Sequence, residues 1–190
     1  MSASRCVLVV VLAGLSALLS SRAAAQQSDQ VIAERVLGPQ WRQLSRRAGM
    51  VFAGTVLDGA MRSSAADREV PGAIPGVQLS FRVDEAIAGV ERGQVLTIHE
   101  WAGAWAMQRP MNKGQHILIF LYPASRLGFT SPVGGSMGQV ALDSIGKNVV
   151  ERNPAIGVQN ASSVQPRVPV AKASVVQLER AIRSARSEEE

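Results

Sequence analysis

The residues whose types first suggest chemistry are two histidines. His99 stands beside Glu100 and Trp101, and His116 opens the apolar run His116-Ile117-Leu118-Ile119-Phe120-Leu121-Tyr122. Imidazole and carboxylate both ligate zinc, so His99 and His116 with Asp84 or Glu100 would make a metal-assisted hydrolase. Against that reading, successive residues of a strand point to opposite faces, which turns His99 and Glu100 away from one another. A serine hydrolase needs its nucleophile on an elbow between a strand and a helix. Gly134-Gly135-Ser136-Met137-Gly138 offers a serine without that context and reads as a glycine turn feeding a strand at Gln139. Asp84, Glu85, Glu91 and Glu100 lack the framing of a glycosidase pair, and no phosphate-cradling Gly-Lys loop is present. The sequence therefore assigns no catalytic residue, no metal and no cofactor.

A second cluster suits recognition better than catalysis. Trp101, Trp105, Met107, Arg109 and Met111 fall within one short stretch, and His99 joins Trp101 on the outward side of a strand. Aromatic and arginine side chains dominate binding hot spots, so His99, Trp101, Trp105, Arg109 and Met111 are the candidate binding residues. The competing placement folds Trp105 and the methionines inward as a lid on the core.

These residues need elements to hold them. The chain has 190 residues, 46% apolar, 18% charged and 4% aromatic, with a formal charge of +5. That is enough chain and apolar content for one domain with its own core, and it excludes a disordered polyelectrolyte. Ser28-Asp29 can cap a short helix that Gly38 ends. Pro39 introduces a second helix over 40–48, with Trp41, Leu44 and Ala48 on one face. The period then changes to two. Strands are expected over 50–58, 77–87, 95–101, 116–122 and 139–143, with a further one over 147–152. The 59–76 stretch, with Pro71-Gly72 and Pro75-Gly76, reads as a loop, as does 102–114. Ser174 and Gln177 have capping-box spacing ahead of a helix whose stripe is Val175, Leu178, Ile182 and Ala185. The expected fold is mainly β: a small antiparallel barrel of five or six strands, OB-like, with an N-terminal and a C-terminal helix.

Arginine outnumbers lysine 17 to 3, but the arginines are scattered and read as solvated helix faces. Without a run of exposed aromatics along a basic groove, nucleic acid is not an expected partner.

The first 25 residues have the layout of a secretory signal. Arg5 precedes an apolar run from Val7 to Leu19, and Ala23-Ala24-Ala25 fits the small-x-small cleavage rule before Gln26. The run is shorter than the ~20 residues a membrane-spanning helix needs, and no later segment is long enough either. Cleavage removes Cys6, the only cysteine, and lowers the formal charge to +3. The mature chain then holds no disulfide and no thiolate. The expected organisation is a signal peptide over 1–25, a helical segment over 26–49, the barrel over 50–152, a linker over 153–173, and a helix with an acidic tail over 174–190. The expected location is exported, periplasmic or extracellular.

Several stretches taken in order carry a family resemblance. They are Val51-Phe52-Ala53-Gly54-Thr55-Val56, Leu79-Ser80-Phe81-Arg82-Val83-Asp84-Glu85-Ala86-Ile87-Ala88-Gly89, Gly114-Gln115 with the His116–Tyr122 run, and Gly134-Gly135 with Gly138. Over residues 40 to 145 the chain resembles exported bacterial proteins with a netrin-like or tissue-metalloproteinase-inhibitor-like OB-fold barrel. The resemblance implies a fold more than an activity. The inhibitors grip a catalytic metal through an N-terminal cysteine, and a chain starting at Gln26 has none. The expected function is a non-catalytic module that binds a protein, peptide or glycan partner in the cell envelope. N-terminal sequencing of exported material is expected to begin at Gln26; an intact Met1 would contradict this.

Overall fold

Alternation along one long strand sets the architecture. Val77, Leu79, Phe81 and Val83 are at most 1% exposed, while Gln78, Ser80 and Arg82 turn outward. The computed structural model describes residues 26–58, 76–106, 108–150 and 173–188. These form α1 (26–37), α2 (Trp41–Arg47), β1 (Met50–Asp58), β2 (Gly76–Ala88), β3 (Val95–Trp101), α3 (Ala102–Ala106), β4 (His116–Leu121), β5 (Gln139–Ala141) and α4 (Val175–Ser187). The signal segment, most of the 59–76 loop, Met107 and the 153–172 linker lie outside the described residues.

The strands make one antiparallel sheet in the order β3-β2-β1-β4-β5. The expected strands fall within a residue or two of those observed, except at 147–152. There the described residues contribute only isolated bridges, Leu142 to Val149 and Asn148 to Ser174. Two further expectations are corrected. Helix and strand contribute about equal shares of the described residues, which are therefore not mainly β. The terminal strands β3 and β5 share no ladder, so the sheet is not a closed one. A bridge between His99 and Phe129, extended by the Thr130 N–H to the His99 carbonyl at 2.8 Å, gives β3 a single outer contact.

The sheet has two dry faces. Its concave side gathers Phe52, Val56, Leu79, Phe81, Ile98, Ile117, Ile119 and Leu121. Phe52 and Phe81 meet edge to face there, 5.7 Å between centroids. Its convex side, over β1 and β4, packs Val51, Ala53, Leu118 and Phe120 against Trp41, Leu44, Leu178 and Ile182 of the helices. β1 can sit between these layers because Gly54 carries no side chain: a Cβ there would stand 2.5 Å from the Arg82 carbonyl oxygen. At this point the register steps from Ala53–Glu85 to Gly54–Val83, so Asp84 is the extra residue of a bulge.

The helical layer is held at its ends as well as its faces. Ser174 caps α4 in a full capping box with Gln177, as the spacing predicts. The arginines are not merely solvated. Arg186 of α4 donates to the Ser45 and Ala48 carbonyls at the end of α2, the latter at 2.7 Å. Arg46 of α2 donates to the Ala185 carbonyl at the end of α4, 3.1 Å away. Each helix thus supplies a cation to the other's orphan carbonyls, where the helix dipole is negative. Asp29 is not a cap either: it lies inside α1, nearly buried, and accepts from Arg180 Nε at 2.7 Å and Nη2 at 3.2 Å.

Leu178 is fully buried in this layer. Leu178→Ala should cost about 2–5 kcal/mol, read as a lower urea midpoint, while Val176→Ala on the exposed side should stay within about 0.5 kcal/mol.

Candidate functional site

The structure divides the expected binding cluster between two sides of the sheet. On β3, Leu96, Ile98 and Glu100 point inward, while Thr97, His99 and Trp101 point outward. Trp101 is half exposed, its indole lying over Gly103. The segment expected as a loop instead begins with the short helix α3, which carries Trp105 in toward the concave core. Met111 is 6% exposed and belongs to that core, whereas Arg109 stays in solvent. His99, Trp101 and Arg109 are therefore surface residues, Trp105 and Met111 form part of a lid, and the five make no common surface. Met107 lies outside the described residues.

The two histidines are also kept apart. His99 is on β3 and His116 on β4, with β2 and β1 between them. Among the described residues no three His, Cys, Asp or Glu side chains come together as ligands for a metal ion. The Gly134–Gly138 stretch is a single 3-10 turn entered through left-handed glycines, and it delivers the chain into β5. That is a turn's role rather than a nucleophile elbow's.

His116 instead meets a different set of groups. The Thr55 hydroxyl donates to Asp84 Oδ2 at 2.6 Å, and His116 Nδ1 lies 3.1 Å from the same hydroxyl oxygen and 3.6 Å from Asp84 Oδ2. Since the Thr55 proton is committed to the carboxylate, the His116 Nδ1 carries a proton and donates to the hydroxyl oxygen. Arg82 completes the knot, with Nε 3.0 Å from Asp84 Oδ1 and Nη2 3.3 Å from Thr55 Oγ1. Burial alone would raise the Asp84 carboxyl. Hydrogen bonds from Thr55 and Arg82, with the charges of Arg82 and His116, reverse this and hold it below its ordinary range. A buried threonine whose proton and lone pairs are all engaged offers no nucleophile, so the knot orients His116 rather than performing covalent chemistry.

This knot forms one wall of a cleft of about 840 Å³. The cleft lies where the helical cover of the sheet stops, between β2, the turn around Gly146 and the start of α4. Arg82, Arg92 and Lys147 line it together with Asp84, Glu85 and His116, and the lining includes Ile145 and Val176, both more than half exposed. Arg92 pairs with Glu85 at 3.1 Å. Gly146 packs against the imidazole so closely that a Cβ would stand 2.8 Å from Nδ1, and its φ of +67° suits glycine alone.

Inside the concave core is a second polar feature. Glu100 is fully buried; its Oε1 accepts from the Gln108 amide, and its Oε2 has no partner among the described residues. Gln139 Nε2 donates in turn to Gln108 Oε1 at 2.6 Å. Burial pushes the Glu100 carboxyl up to about 7, and the Gln108 amide opposes only part of the rise. Period-two counting from Leu96 and Ile98 already places Glu100 inward; Gln108 and Gln139 give no such signal.

No family model, no curated protein and no solved structure matches this chain.

Thr55→Val removes the hydrogen bond that most lowers Asp84. The carboxyl should then titrate nearer the ordinary value of 3.8, a shift readable by carboxyl-carbon NMR. A lowered carboxyl contributes stability above its unfolded value and loses it as pH falls through the folded one. Acid denaturation of Thr55→Val should accordingly show a smaller loss of stability below pH ~4 than the parent chain.

Proposed function

We propose that the chain is an exported, non-catalytic binding module built as a partly closed OB-like barrel, and that its ligand is an extended peptide segment of an envelope partner. The observation that carries this reading is the cleft beside His116. It combines fixed charges of both signs with an aliphatic rim, the mixture that suits a peptide's alternating backbone dipoles and side chains. Among the protein, peptide and glycan partners that the sequence leaves open, a glycan fits least. Sugar rings stack on aromatic faces, and the lining contains no tryptophan, tyrosine or phenylalanine. Arg82, Asp84 and His116 are tied to one another and to the sheet, so they are pre-organised and lose little freedom on binding.

The barrel reading draws support from the bridge between His99 and Phe129 and the bridge between Leu121 and Pro132, which connect the outer strand β3 toward β4 through one short segment. Export draws support from the leader-like residues 1–25 and from a mature sequence without cysteine. No helix among the described residues is long and apolar enough to cross a membrane.

Selection of displayed hexapeptides against the full chain, followed by anisotropy titration of an enriched peptide, tests the site. Lys147→Glu and Val176→Asp, both at exposed positions, should each weaken binding at least about tenfold, worth ~1.4 kcal/mol. Trp101→Ala should leave it unchanged, and tryptophan emission should not respond, since no tryptophan lines the cleft. Binding that depends on Trp101 and ignores both cleft variants would overturn the assignment.

A further inference from the structure

The side chains that fill the concave face are apolar except at one seam, and that seam has a distinctive place in the topology. Glu100 belongs to β3 and Gln139 to β5, the two terminal strands of the sheet. Gln139 is paired with Ile119, so it faces the same concave side as Glu100. Gln108 stands between them, donating to one and accepting from the other. Backbone ladders do not join β3 to β5, but this chain of three side chains does. Gln108 is in turn tied to α3, its N–H donating to the Trp105 carbonyl at 3.0 Å.

We propose that Glu100, Gln108 and Gln139 are a proton-controlled clasp, closing the sheet across its two ends while Glu100 is a neutral acid and releasing the α3 lid with Trp105 when Glu100 ionises. The inference goes beyond the peptide-binding reading and does not depend on it. The physical reason is the absence of anything to receive a charge. Among the described residues Glu100 faces Val77 across the ladder, meets the Gln108 amide on the loop, and is joined to Gln139 of β5 through Gln108. Among the described residues no charged side chain acts on the carboxyl, and the neighbouring His99 projects from the opposite face. Among the described residues Oε2 has neither donor nor acceptor, so an anion there has no compensation from them beyond one amide. The cheapest relief is local. α3 is a helix of five residues with no buried residue of its own, so moving it outward costs far less contact than disturbing β1 or β4.

The sign follows from linkage. A carboxyl raised in the closed form favours closure at acid pH and loses that contribution as pH climbs from its ordinary value toward about 7. Amide hydrogen exchange of the full chain, corrected for its intrinsic pH dependence, reads this directly on peptides covering 102–111. Protection there should fall about tenfold per pH unit between roughly pH 5 and 7 and then level off, with peptides of β1 and β4 unchanged. Glu100→Gln, which cannot ionise, should hold 102–111 protected and flat across the range. His99→Gln and His116→Gln serve as controls and should retain the slope, since neither side chain belongs to the clasp. If Glu100→Gln does not fold, Gln108→Met removes the middle link and should leave 102–111 poorly protected already at pH 5. A parent chain without the slope, a slope surviving in Glu100→Gln, protection surviving in Gln108→Met, or β1 losing protection in step with 102–111 would each overturn the clasp.

Discussion

Everything in this molecule follows from β1 having no wet face. Seven of its neighbouring features exist to cover it: β2 and β4 pair along its edges, the concave core lies beneath, and three helices with the β4–β5 connection lie above. A strand dry on both sides must have every backbone group paired, since an unpaired amide or carbonyl there costs about 1–3 kcal/mol. Gly54 satisfies the tightest point of that requirement by letting the β2 backbone close in. The bulge at Asp84 is the local consequence, and it is the bulge that swings Asp84 toward Thr55 and His116. The charged wall of the cleft is therefore produced by the same constraint that builds the core.

The helical cover explains where the cleft is. Over β1 and β4 the convex face is sealed by Trp41, Leu44, Leu178 and Ile182. Over β3 and the part of β2 paired with it the face is open, and Gln78, Ser80, Thr97 and His99 are the polar side chains expected of an open face. The boundary between the two regimes is a step, and a step on a protein surface is concave. Charged residues collect there because Arg82 and Arg92 can reach water while their carboxylate partners stay half-covered.

Much of this was legible in the residues. Alternation over 77–83 and 95–101 places those strands to within one position, and Ser174 with Gln177 places the final helix to the residue. Such signals are local, and local signals survive folding. The α3 helix was not legible, because Ala102-Gly103-Ala104-Trp105-Ala106 has no cap and too short a period to distinguish a turn of helix from a loop. Closure of the sheet was not legible either. It depends on how far β3 curls toward β5, a sum of twists and bulges that no short window contains. Which members of the Trp101–Met111 cluster turn inward was not legible for a related reason: the stretch between them reverses side, so they end on opposite faces. The Thr55, Asp84 and His116 knot joins three strands and has no sequence signature beyond the residue types themselves.

The exchange of arginines between α2 and α4 bears on the order in which the chain acquires its shape. Arg46 and Ala185 are separated by 139 positions, and Arg186 and Ala48 by 138. Neither helix terminus is neutralised until the other has arrived, and the upper face of β1 has no roof until both are seated. A ribosome emitting this chain must have passed Arg186 before that roof can form. The half-built sheet spends synthesis with an oily surface uncovered, the circumstance in which a holding chaperone is most useful.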